Sequence, residues 1–190
     1  MRKLIMWNMV TLDGLFEGAK SWDLDWHNYV WGDELEKLSL DQLNAAGMLL
    51  FGRNTYEGMA AYWTTATGES GDVADLMNTL PKVVFSRSLE RADWNNTRLI
   101  RESAEAAVLD LKQQAGKDLF IFGSASLCSS FTEAGLIDEY RLGLNPLILG
   151  SGTPLFKPGA AQHKMRLLEA RPLKSGLILL RYEPVRDEGG

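Results

Sequence analysis

Along this chain short unbroken apolar runs alternate with longer stretches in which apolar residues recur every three or four positions. Leu119, Phe120, Ile121 and Phe122 stand together without a polar interruption, which suits a parallel strand covered on both faces better than one wetted on one side. The run ends at Gly123, and Ser124, Ala125 and Ser126 after it are all small. Such a backbone can turn sharply into a helix whose free N–H groups point past the strand's carboxyl end. Two readings are open there: a turn that serves only the chain's path, or a cradle for an anion, held by backbone donors and the helix dipole.

The same pattern predicts further strands over Leu4 to Val10, Met48 to Phe51 and Lys82 to Phe85, ended by Thr11-Leu12-Asp13-Gly14, Gly52-Arg53 and Ser86-Arg87-Ser88. A short strand near Thr97 to Ile100 and another over Ile137 to Leu144, beginning at Asp138, complete this set. Leu35, Leu38, Leu43 and Ala46 follow the helical period over Asp33 to Ala46, with Gly47 as the stop. Asn54-Thr55-Tyr56-Glu57 has the spacing of a capping box, and Ser103 is placed to cap a helix running to Ala115. Asn145 to Gln162 is rich in Gly and Pro and reads as irregular. Met165 to Leu173 and Leu177 to Tyr182 flank Lys174-Ser175-Gly176 as a hairpin. Thr11 to His27 is long for a connection, and Thr64 to Asp72 is polar; both are expected to border the functional edge, with few packing contacts and high mobility. The alternation of strand and helix, closed by a hairpin, gives an α/β class with a mixed sheet whose antiparallel part is C-terminal. Three strands finish at Gly52, Ser86 and Gly123 in residues suited to phosphate or ribose, a combination that favours a dinucleotide.

Composition removes several function classes. The 190 residues favour one domain, 1–186, with a tail at 187–190. A net charge of −5 argues against nucleic acid. The single cysteine, Cys128, forms no internal disulfide and reads as a small apolar filler. His27 and His163 have no ligand or nucleophile partner at a recognisable spacing, so no metal site is expected. The apolar run after Met1-Arg2-Lys3 is broken at Asn8, too short for a membrane span, which leaves a cytoplasmic protein as the expectation. Trp7, Trp22, Trp26, Trp31, Trp63 and Trp94 are read as core or rim packing.

The order of Thr11-Leu12-Asp13-Gly14, Leu50-Phe51-Gly52-Arg53-Asn54-Thr55-Tyr56, Val84-Phe85-Ser86-Arg87-Ser88, Phe120-Ile121-Phe122-Gly123-Ser124 and Gly135-Leu136-Ile137-Asp138-Glu139 resembles the dihydrofolate reductase superfamily. More narrowly, the chain is similar to stand-alone relatives of the C-terminal reductase domain of the bifunctional riboflavin-pathway deaminase/reductase. Gly-Arg-x-Thr-Tyr and the late Leu147-Ile148-Leu149-Gly150-Ser151-Gly152-Thr153-Pro154-Leu155-Phe156 are the most specific elements. The resemblance implies a dihydrofolate reductase-like three-layer fold. It also implies NADPH laid across the sheet's carboxyl edge. Gly52, Arg53, Asn54 and Thr55 would then hold the pyrophosphate region, and Ser86 with Arg87 the adenosine 2′-phosphate. Gly123, Ser124, Ala125, Ser126 and Leu127 would cradle the diphosphate and nicotinamide side, with Val10 and Gly14 flanking the nicotinamide. Dihydrofolate reductases have Gly-Gly where this chain has Gly123-Ser124, so either the backbone there is less strained or the hydroxyl donates to phosphate.

The implied activity is hydride transfer from NADPH to a small heterocyclic or carbonyl substrate, as in 5-amino-6-(5-phosphoribosylamino)uracil reductase. The alternative is a nucleotide-binding protein of the same fold without turnover. A carboxylate on the first helix would contact substrate, and ungapped counting back from Gly52-Arg53 gives Glu36, with Asp33 and Glu34 within a one-turn slip. All three could equally be a solvated helix face. The family and the apolar, Gly-rich Leu147 to Phe156 stretch suggest a homodimer.

Overall fold

The computed structural model describes residues 1–66 and 71–186. It begins with strands β1 (Leu4–Thr11) and β2 (Leu15–Glu17), a 3-10 helix (Asp25–Val30) and helix α1 (Asp33–Ala45). Next come β3 (Ala46–Gly52), α2 (Arg53–Trp63), α3 (Gly71–Thr79), β4 (Lys82–Phe85) and β5 (Thr97–Ile100). They are followed by α4 (Ala104–Gln113), β6 (Asp118–Phe122), α5 (Ala125–Glu133) and β7 (Glu139–Asn145). A short β8 (Thr153–Pro154) and the hairpin β9 (Met165–Pro172) and β10 (Ile178–Pro184) close the chain. Eight strands form one sheet in the order β5-β4-β3-β6-β1-β7-β10-β9, and β2 pairs with β8 apart from it. From β5 to β7 every pairing is parallel, while β10 runs antiparallel to both β7 and β9.

The apolar run of β6 has the predicted environment, a strand between β3 and β1 whose side chains go alternately to two cores. Phe120 joins Ile5 and Trp7 against Leu35 and Leu43 of α1, Tyr56 of α2 and Met77 of α3. Leu119 and Ile121 join Leu4 and Met6 against Val108 of α4 and Cys128 and Phe131 of α5. Period-two alternation on a strand buried on both faces thus divides the helices into two layers. Because the central strands are parallel, β1, β3, β4 and β6 all present their carboxyl ends at one edge. With strands about 4.8 Å apart, the four ends span roughly 14 Å.

Some boundaries differ from the sequence reading. Gly47 is not a helix stop: β3 already runs from Ala46. A Cβ at Gly47 would lie 2.7 Å from the Lys117 carbonyl oxygen and 2.8 Å from the Arg2 guanidinium, where the β3–β6 register shifts, so the glycine serves a close approach. The capping box at Asn54 is absent as well, since α2 starts at Arg53 with Gly52 as its N-cap and no side-chain cap bond. Thr64 to Asp72 lies between two helices, with α3 starting inside it, and 67–70 lies outside the described residues, as does the tail at 187–190. Ser103 caps α4 as read, its Oγ accepting from the Ala106 N–H at 3.2 Å.

The antiparallel extension hangs on a buried carboxylate. Glu139, only 3% exposed, accepts from Arg141 Nε at 2.7 Å and Arg181 Nε at 2.8 Å, tying β7 to β10. Burial pushes its carboxyl up, but the hydrogen bonds from Arg181 and Arg141 outweigh that and the group sits below its ordinary range. Glu139→Ala leaves two guanidinium groups without their shared partner and is expected to cost about 3–5 kcal/mol. Urea unfolding of the two proteins at neutral pH checks this, and a loss under about 1 kcal/mol would count against it.

Candidate active site at the strand carboxyl edge

The turn after β6 is tighter than its composition alone requires. Gly123 has φ +78°, and a Cβ on it would come within 2.7 Å of Thr55 Cγ2 at the start of α2. Ser124 also takes a left-handed conformation, φ +62° and ψ 68°, uncommon for a residue other than glycine. The backbone at this serine is therefore not relaxed, contrary to the first of the two sequence expectations, and the buried Oγ accepts a 2.7 Å hydrogen bond from the Gly52 N–H. Its own O–H remains available to donate. The first bond inside α5 runs from the Cys128 N–H to the Ser124 carbonyl, so the N–H groups of Ala125, Ser126 and Leu127 precede any intrahelical acceptor. Gly52 and Gly123 therefore bring two helix N-termini side by side, with Arg53, Asn54 and Ser126 exposed around them.

Beside this turn lies a cavity of about 160 Å³. Trp7, Phe16, Trp22, Trp31, Trp63 and Phe122 supply its aromatic wall, and Thr55 and Gly123 form the side shared with the turn. Asn8, His27 and Ser39 add polar groups. Trp22 lies flat on α2: a Cβ at Gly58 would be 2.4 Å from its ring. His27 packs edge-on against Trp26 with ring centroids 4.3 Å apart, and its Nε2 is buried without a hydrogen-bond partner among the described residues. Burial lowers the His27 imidazole to about 4, so it is neutral near pH 7. Four of the six tryptophans read as packing residues thus converge on one site. The histidine given no role stands with them. No sequence spacing announces this, because the residues come from β1, β2, the loop that follows it, the 3-10 segment and its C-cap, α2 and β6.

The other expected residues are distributed less evenly. Glu36 does not line the cavity; from α1, Ser39 and Leu43 do, one turn and two turns further on. Val10 packs into the α5-side core, and Gly14 is exposed in a turn at φ +78°. Leu127 is buried on α5 and Ala125 half-buried. Ser86, at the end of β4, accepts from the N–H groups of Ser88 and Leu89, and Arg87 is exposed. The Glu105 carboxyl is held low by hydrogen bonds from Ser130 and Ser103, with a smaller contribution from the Arg87 charge. An acidic group therefore stands near Arg87 that lies far from it in sequence.

The Thr11 to His27 segment has more anchors than its polarity suggests. β2 pairs with β8, Leu12 N–H donates to the Leu147 carbonyl at 2.8 Å, and Asp13 accepts from the Leu149 and Gly150 N–H groups. Among the described residues no helix is long and apolar enough to cross a membrane, and no three His, Cys, Asp or Glu side chains gather as a metal site.

Residues 2–179 match the family model for the RibD C-terminal domain. The chain belongs to the RibD C-terminal domain family. The uncharacterized Bacillus subtilis protein YyaP is 31% identical over 185 residues, 95% of this chain and 94% of the relative. Among solved structures, the Thermotoga maritima diaminohydroxyphosphoribosylaminopyrimidine deaminase/5-amino-6-(5-phosphoribosylamino)uracil reductase superposes with a TM-score of 0.68 at 16% identity, covering 97% of this chain and 57% of that one. The Enterococcus faecalis dihydrofolate reductase, complexed with NADP(H), gives 0.62 at 12% identity and 96% coverage of each chain. The dihydrofolate reductase-like fold, a mostly parallel mixed sheet with antiparallel C-terminal strands, is thus the one the sequence suggested.

Two outcomes test the geometry of this RibD C-terminal domain. Ser124→Ala keeps the left-handed strain and orphans the Gly52 N–H, whereas Ser124→Gly loses the same bond but relieves the strain. Ser124→Gly should therefore be more stable than Ser124→Ala by about 1 kcal/mol in urea unfolding, and the reverse order would refute the account. His27 is lowered from its unfolded value of 6.5 to about 4. The unfolded chain binds the extra proton between those values, so the His27 contribution is complete above pH 6.5 and is lost as pH falls towards 4. The urea midpoint of His27→Phe should consequently fall less steeply than wild type over that window; parallel slopes would mean the imidazole titrates normally.

Proposed function

We propose that this chain is an NADPH-dependent reductase of a small heterocyclic or carbonyl substrate, similar in kind to the reductase half of the riboflavin-pathway enzyme. One observation carries the reading: Gly123 and Thr55 belong both to the paired helix N-termini and to the wall of the aromatic cavity. A group anchored by its phosphates at the turn therefore has its far end at the cavity, where a substrate can meet it. The residues suit the cofactor. Gly123 allows the close approach of Thr55 that sets the two helix N-termini side by side, the first-turn N–H groups of α5 face no helical acceptor, and Ser124 has a free O–H. In this reading Gly52, Arg53, Asn54 and Thr55 hold the pyrophosphate, and Ser126 and Leu127 contribute backbone donors. Ser86 and Arg87 take the 2′-phosphate at the β4 end, and Val10 and Gly14 border the nicotinamide. Bound NADPH supplies a hydride. The chain's own work is to orient the two partners and keep water out, for which the aromatic wall is suited.

Oxidation of NADPH, followed at its absorbance band against pterins, pyrimidines and carbonyl compounds, tests the proposal. Binding of NADPH with no oxidation on any of them would favour the nucleotide-binding reading without turnover. A cytoplasmic setting agrees with the buried free thiol of Cys128. A homodimer also belongs to this reading. Leu155 is buried within the chain, but Ile148 and Phe156 remain exposed, as do Leu167 and Leu168 on the edge strand β9. Light scattering at micromolar protein should give twice the chain mass, and a monomer would remove this part.

Cofactor choice follows from the β4 end. Arg87→Ala should weaken NADPH by roughly ten- to a hundredfold at low salt, because a hydrogen bond to a charged group contributes about 1.5–3 kcal/mol, and should scarcely change NADH. Equal losses for both cofactors would instead place Arg87 in support of the fold or the pyrophosphate.

A further inference from the structure

We propose that the aromatic cavity takes an uncharged, planar molecule of one or two rings, with His27 as its polar contact, and rejects a ligand that would carry a phosphate into it. The inference rests on the reductase reading for what happens to that molecule, but not for its binding. Trp7, Phe16, Trp22, Trp31, Trp63 and Phe122 offer flat faces, and flat rings stack on such faces without needing a particular hydrogen-bond pattern. None of the described lining residues is Lys, Arg, Asp or Glu. A phosphate drawn into this wall would give up its hydration with no guanidinium or ammonium to replace it. The reductase named for the Thermotoga maritima protein acts on a phosphoribosylated uracil; this cavity is not built for that phosphate.

Size points the same way. A dry apolar cavity of about 150 Å³ holds benzene, whereas drug-sized ligands occupy about 300–1,000 Å³. At about 160 Å³ the space suits a ring system rather than a whole nucleotide. The polar contact is identified by what it lacks: His27 Nε2 is buried with no partner among the described residues. A hydroxyl, carbonyl or ring nitrogen on the ligand would satisfy it. A neutral imidazole can serve as donor or acceptor there, and it brings no charge that would demand a counterion.

Equilibrium dialysis of the ligand-free protein against 1-naphthol and 1-naphthyl phosphate tests the proposal, with inorganic phosphate in excess to fill the helix-end turn. 1-Naphthol should bind, and its phosphate ester at least about tenfold more weakly. His27→Phe keeps the wall flat and should weaken 1-naphthol by about three- to tenfold, the loss of one hydrogen bond. Ser39→Arg, checked for folding by circular dichroism, should abolish most of the 1-naphthol binding by placing a charge against the wall. Equal or tighter binding of the phosphate ester overturns the proposal, as does the absence of 1-naphthol binding to folded wild type. A parallel titration with NADPH separates the two readings. Naphthol binding without NADPH binding would sink the reductase and leave the cavity's preference standing; NADPH binding without naphthol binding would do the opposite.

Discussion

The hydrogen bond from the Gly52 N–H to Ser124 Oγ joins two strand-to-helix turns that belong to different crossovers of the sheet. Parallel pairing of β3 with β6 brings these strand ends together, but the bond fixes how closely the helices that leave them approach. Once it is made, Thr55 at the start of α2 stands against the α-carbon of Gly123, and no side chain fits between. The left-handed Ser124 is the cost of that closeness, of order 1–2 kcal/mol, offset by the bond its hydroxyl makes. Two positive helix ends standing side by side follow from the same contact.

The edge is divided in character by the strand order. Towards β4 it is polar and wet, with Ser86, Arg87, Arg53 and Asn54 half-buried or exposed. Towards β1 it becomes aromatic and dry, and burial there holds the His27 imidazole neutral near pH 7. Thr55 and Gly123 stand at the border. A ligand long enough to leave its phosphates at the turn while an uncharged flat ring lies in the cavity matches this gradient better than one of uniform polarity, since each part meets surroundings that solvate it.

How far this was legible in the sequence depends on whether the signal was local. Leu119 to Phe122, Met48 to Phe51 and Lys82 to Phe85 were readable as buried strands because both faces of each are covered, which forces unbroken apolar runs. Gly47 misled because a glycine after a periodic stretch normally ends a helix, and only the fold reveals the Lys117 carbonyl and Arg2 pressing on it. β2 and β8 are too short to carry a period, and α3 opens inside a polar stretch. The cavity was invisible for a different reason: its tryptophans are separated by up to fifty-six positions, 7 to 63. Counting along α1 gave Glu36, which is not among the residues that line the cavity, because chain counting has no access to which helical face the core captures. Glu105 near Arg87 escaped for the same cause, a charge interaction between residues eighteen positions apart.

Anchoring also determines where motion at the cavity can reside. The backbone from Thr11 to Trp22 is tied by the Asp13 contacts to Leu149 and Gly150, by β2 pairing with β8, and by the Trp22 N–H on the Glu17 carboxylate. A hinge in this segment would have to break several of those bonds together. The side chains of Trp22 and Trp31, 37% and 50% exposed, are under no such restriction at the cavity rim. The Trp22 indole rests on the bare α-carbon of Gly58, held among the described residues by contact alone. Rotation of an indole over a glycine breaks no hydrogen bond, so the free-energy cost of opening the cavity is lowest at this rim and highest in the loop backbone.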